Sequence, residues 1–75
     1  MLKELETIVL TVDLPEHRLA AGDLGAIVHV YNNGEAYEVE FVATDGSTIA
    51  VETLYPNQLR KASAKKEIPH VREVA

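Results

Sequence analysis

Ala21-Gly-Asp-Leu-Gly-Ala-Ile-Val-His-Val-Tyr31, then Asn32-Asn-Gly-Glu35, then Ala36-Tyr-Glu-Val-Glu-Phe41 is the stretch whose reading decides the fold. It reads as a glycine-punctuated loop, a strand over Ala26 to Tyr31, a tight turn, and a second strand over Tyr37 to Val42. Tyr37, Val39 and Phe41 alternate with Glu38 and Glu40, the period of two that a strand with one buried face requires. Asn32, Asn33 and Gly34 tolerate the left-handed conformations of a hairpin turn. Gly22 and Gly25 imply positive φ or a close backbone approach where the chain enters the sheet.

Working outward, Thr7 to Asp13 is rich in β-branched residues and predicts a first strand. Ile8, Leu10, Val12 and Leu14 share one face of it, with Thr7, Val9, Thr11 and Asp13 on the other. Leu14 to Gly22 is too short and too broken for a stable helix, and Leu19 within it is expected to return to the core. On the C-terminal side, Asp45-Gly46 signals a second hairpin. Thr48 to Leu54 is then a fourth strand, with Ile49 and Val51 assigned inward. Pro56 favours one short 3₁₀ turn before a brief last strand over Leu59 to Lys61.

These elements describe an all-β protein: a small five-stranded SH3-like barrel over residues 1–61, with a basic C-terminal tail over 62–75, extended or disordered. A five-stranded OB-like barrel is the alternative, but the short connection between Phe41 and Thr48 leaves no room for its helix.

With 75 residues and no cysteine, the chain builds one small core without disulfides or thiol metal sites. Such a core supplies only about 3–5 kcal/mol, so oligomerisation is a natural supplement. The N-terminus carries no apolar run of signal-peptide length, and no segment approaches a membrane span, which sets a soluble cytoplasmic protein as the expectation. The net charge of −5 is unevenly placed. Residues 1–59 carry two basic groups, Lys3 and Arg18, against ten acidic ones, a net of −8; residues 60–75 carry five basic against two acidic, a net of +3. An acidic body repels phosphate, so nucleic-acid binding would rest on the tail alone.

Asp13-Leu14-Pro15-Glu16-His17, Gly22-Asp23-Leu24-Gly25-Ala26-Ile27-Val28, Ala36-Tyr37-Glu38-Val39-Glu40-Phe41 and the Asp45-Gly46 turn occur in an order and spacing that resembles a family of small bacterial proteins. That family, frequent in cyanobacteria, is known as domain of unknown function 4926, and the likeness runs from Leu5 to about Lys61. The resemblance implies a fold and no assigned catalysis. More loosely, the Gly-x-x-Gly-x-Ile pattern is similar to SH3-like barrels that bind a larger partner, an analogy of fold alone.

No residue cluster carries a reaction. Glu38 and Glu40 share a strand face, with Glu52 on a neighbouring strand, but nothing separates their pKa values as an acid–base pair requires. They read as a solvated outer face. His17, His29 and His70 are scattered over loop, strand and tail, without the spacing of a metal site. Gly22-x-x-Gly25 lacks the Lys-Ser/Thr pair of a phosphate loop, and no serine or threonine has an activating His/Asp arrangement. Tyr31, Tyr37 and Tyr55 with Pro56 are too few aromatics for a proline-peptide groove, and Tyr37 is assigned to the core.

The expectation is a non-enzymatic module without a cofactor or metal that binds another protein, as an accessory or antitoxin-like partner of a larger one. Its candidate partner-binding residues are Tyr31, Tyr55, Glu38, Glu40, Lys65 and Lys66. The alternative is a nucleic-acid-associated accessory domain using the tail. Lys65 to Ala75 alternates apolar and basic residues, and Pro69 rules out a continuous helix there. It reads either as an extended strand on a sheet edge or as a loose end.

Overall fold

The computed structural model describes residues 2–62; the tail from Ser63 onward, with Lys65 and Lys66, lies outside the described residues. Five strands follow in order: β1 (Thr7–Leu10), β2 (Leu24–Tyr31), β3 (Ala36–Val42), β4 (Thr48–Leu54) and β5 (Leu59–Lys61). Single 3₁₀ turns at Pro15–His17 and Pro56–Gln58 join β1 to β2 and β4 to β5. The strands form one antiparallel sheet in the order β4-β3-β2-β1-β5.

The sheet rolls up because apolar side chains on its inner face reach from one edge strand to the other. Ile8, Leu10, Leu19, Ile27, Tyr37, Val39, Phe41, Leu54 and Leu59 form one buried cluster. Leu54 and Leu59 stand on β4 and β5, the two edges of the sheet, and a shared core forces those edges toward each other. No ladder pairs β4 with β5, so the barrel stays open along that seam. Bending is concentrated where the register slips, between Ile27 and His29 in β2 and between Thr48 and Ala50 in β4, across from Val42 and Phe41.

Two glycines perform different tasks. Gly22 has a φ of 101°, and its N–H donates to Leu10 O at 2.7 Å, closing the loop onto the end of β1. Gly25 lies on the inner face, where an added Cβ would come within 2.6 Å of Val39 Cγ1 and 2.9 Å of Phe41 Cε1. The hairpin turn follows the expected chemistry: Asn32, Asn33 and Gly34 all have positive φ.

The first strand is shorter than the sequence suggests, ending at Leu10. Beyond it the backbone turns to the loop: Leu10 N–H donates to Asp23 O, and Thr11 N–H to Gln58 O, both at 2.9 Å. Val9, assigned outward, is nevertheless buried. β2 starts two residues earlier and β3 one residue earlier than the alternation indicates. Leu19 returns to the core as expected, held by its bridge to Leu14.

On β4 the facing is corrected. Tyr37 pairs with Leu54, Val39 with Glu52 and Phe41 with Ala50, so the inward positions are Ala50, Glu52 and Leu54. Val51 pairs with Glu40 and is 47% exposed, while Ile49 sits at the bulge and is only partly buried. Val51 alternates with the inward Ala50 and Glu52 in an unbroken ladder and so faces outward, while Ile49 is the extra residue of the bulge.

Candidate binding surface

The outward residues of β2, β3 and β4 form a continuous face. His29 lies across from Glu38, and Glu38 from Thr53; one row along, Ala26 lies across from Glu40 and Glu40 from Val51. This register brings Tyr31 and Glu38 together: the Tyr31 hydroxyl donates to Glu38 Oε1 at 3.3 Å, and the Thr53 hydroxyl donates to the same oxygen at 2.6 Å. The His29 ring meets Tyr31 edge-on at 4.5 Å between centroids, which fixes the tyrosine against the strand. Partial desolvation, then the Glu38 charge and hydrogen bond, push the Tyr31 phenol above its ordinary pKa.

Glu40, two residues along β3, accepts a hydrogen bond from the Thr48 hydroxyl at 2.8 Å. Tyr55 is exposed and follows Leu54, the partner of Tyr37, while Tyr31 stands across from Ala36. Both tyrosines therefore lie at one end of the sheet, but among the described residues only His29 and Tyr31 make a ring contact. Tyr37 is buried, as assigned.

Glu52 does not join Glu38 and Glu40. It lies on the inner face across from Val39, and His17 Nδ1 approaches its Oε2 at 3.0 Å. The 3₁₀ turn carrying His17 thus closes over a carboxylate that would otherwise stand alone at the rim of the core. Among the described residues no group of three His, Asp or Glu side chains is arranged to hold a metal ion.

Three features of this face escaped the sequence. Val42 and Val51 expose apolar surface beside the two glutamates. A depression of about 360 Å³ lies over Ala26, lined by Thr7, Leu24, Gly25, Glu40 and Val42. The outer edge of β4 carries no strand partner among the described residues. The exposed valines were legible as residues but not as a surface, since their grouping depends on the pairing of β3 with β4.

A family model described as "Domain of unknown function (DUF4926)" matches residues 4–61. The chain belongs to that family. The DUF4926 match covers all five strands and stops where β5 ends. No curated protein and no solved structure matches the chain. Several aspartates within the matched range have tasks in the fold itself. Asp13 Oδ1 accepts from Ala21 N–H and Asp23 Oδ2 from Ala20 N–H, both at 2.9 Å, so the two aspartates brace the loop between β1 and β2. Asp45 Oδ1 accepts from the Ser47 hydroxyl at 2.6 Å and from its N–H at 2.8 Å, which closes the β3–β4 hairpin. These bonds hold the Asp45 carboxyl below the usual carboxylate range.

Proposed function

We propose that this DUF4926 protein is a non-enzymatic interaction module that binds another protein through the outer face of β2, β3 and β4. In this reading it works in the cytoplasm as a small accessory or antitoxin-like partner of a larger protein. The observation that carries the reading is the grouping of exposed Tyr31, Val42 and Val51 around Glu38 and Glu40 on three paired strands. Apolar and aromatic groups held on a rigid sheet supply contact area at small entropic cost, and flanking carboxylates supply orientation. The outer edge of β4, without a strand partner among the described residues, adds a row of backbone donors and acceptors beside the same face. No helix among the described residues is long and apolar enough to cross a membrane.

The test is affinity capture from native lysate at moderate salt followed by mass spectrometry, run in parallel with Tyr31→Ala and Val51→Asp. A partner retained by the parent chain and lost by both variants supports the reading. A chain that captures nothing across salt conditions, or whose partner both variants retain, overturns it.

A further inference from the structure

We propose that the depression over Ala26 is a socket for a lysine or arginine side chain of the protein partner. This rests on the protein-binding reading and assigns the chemistry of the residue that enters. The socket is built by register: Thr7, Ala26 and Glu40 stand side by side on β1, β2 and β3, and Ala26, the smallest, leaves a gap between its neighbours. Leu24 and Val42 wall the gap with apolar surface, and Gly25 adds only backbone. Its volume of about 360 Å³ is at the small end for a ligand pocket.

The polarity of the socket selects its occupant. Five of the six lining residues carry no charge, and the sixth, Glu40, is a carboxylate at the side of the opening. A hydroxyl, from Thr48, is its one side-chain hydrogen-bond donor, and it takes part in no ion pair among the described residues. An apolar wall with one anion at its side fits an aliphatic stem ending in a cation, the shape of lysine and arginine. A neutral apolar side chain would leave the Glu40 charge partly covered and uncompensated, and an acidic one would be repelled. Glu38 extends the negative potential along the same strand, so the entering residue is best placed in a basic segment.

The test uses the full chain labelled with ¹⁵N and an acetylated, amidated tetralysine peptide as probe. Two further peptides separate charge from stem: tetra-diaminobutyrate, still cationic but two carbons shorter in the stem, and tetra-acetyl-lysine, long-stemmed but neutral. The expected result is saturable shifts at the amides of Ala26, Glu40 and Val42 with tetralysine. Each control peptide binds about fivefold more weakly, as do Glu40→Gln and Ala26→Leu, which respectively remove the anion and fill the gap. Equal binding of both cationic peptides, with shifts spread over Glu16, Glu35 and Asp45, overturns the socket. So does unchanged binding by the two variants when their spectra remain dispersed. If Lys65→Ala/Lys66→Ala in the full chain shifts the same amides and tightens peptide binding, the occupant is the protein's own tail and the assignment to a partner fails. A captured partner lost with Tyr31→Ala but retained by Glu40→Gln and Ala26→Leu removes the socket and leaves the binding module standing.

Discussion

Substituting Gly25 by alanine sets two physical effects against each other. The backbone at Gly25 is not in the left-handed region, so alanine can adopt its conformation, and reduced freedom of the unfolded chain would then favour alanine by about 0.4–1 kcal/mol. Against this, the new Cβ would stand 2.6 Å from Val39 Cγ1 and 2.9 and 3.0 Å from Phe41 Cε1 and Cδ1. Val39 and Phe41 are at most 1% exposed and packed within the same cluster, so neither can move without displacing others. Overpacking of this kind costs about 1–3 kcal/mol, which outweighs the gain. A net loss of about 1–2 kcal/mol corresponds to a fall in Tm of roughly 5–15 °C in a domain of this size. Urea denaturation should show a lower midpoint with an unchanged slope. Val39→Ala gives the steric argument its sharper check: with one of the opposing groups shortened, Gly25→Ala should cost less by about 0.5 kcal/mol or more. Stability equal to or above that of the parent, or an identical cost in both backgrounds, would refute the reasoning.

Three further outcomes are expected. His17→Ala and Glu52→Ala should be coupled by about 0.5–1 kcal/mol in a double-mutant cycle read by chemical denaturation, since each removes the same 3.0 Å contact; purely additive losses would dismiss the pair. The Asp45 carboxyl, followed by NMR, should titrate below an ordinary aspartate and move up in Ser47→Ala; because its folded pKa is depressed, the stability it contributes is present above the ordinary aspartate pKa of about 3.9 and is lost as pH falls through the folded value. In an alkaline absorbance titration Tyr31 should ionise above the usual value of about 10, and Glu38→Gln should bring it only part of the way back, because the larger cause, desolvation, remains.

How far the fold was legible follows from how local each signal is. Asn32-Asn33-Gly34, Asp45-Gly46 and Pro56 act through their own backbone preferences, and each turn falls where the sequence places it. The third strand was equally plain, because Tyr37, Val39 and Phe41 bury while Glu38 and Glu40 stay on the wetter face. Facing on β4 was not local. Ile49 and Val51 carry the apolar signal, yet pairing with Phe41 and Val39 sets Ala50 and Glu52 inward, and only His17, thirty-five residues earlier in the chain, makes that position for Glu52 comprehensible. Val9 shows the converse: a residue that alternation assigns outward is buried all the same. Of the candidate surface, Tyr31, Glu38 and Glu40 were identifiable as residues on the outer face of two adjacent strands. The socket was not, because it exists only where Thr7, Ala26 and Glu40 from three strands come side by side.

This division bears on what membership of DUF4926 conveys. The match runs over residues 4–61, and within it several residues have structural tasks: Gly25 admits Phe41 and Val39, Asp13 and Asp23 brace the first loop, and Asp45 closes a hairpin. Each task is met inside the barrel or along its loops, away from the outward face of β3 and β4. That face is built on the opposite side of the same strands, and exposed strand positions accept substitution at small cost to stability. A sheet whose inner side is this tightly specified can therefore present different outer side chains without changing shape, as interaction modules on small barrels do. On the proposed reading, partner choice in this chain falls to Tyr31, Glu38, Glu40, Val42 and Val51, and the sheet beneath them is the scaffold that holds them in register.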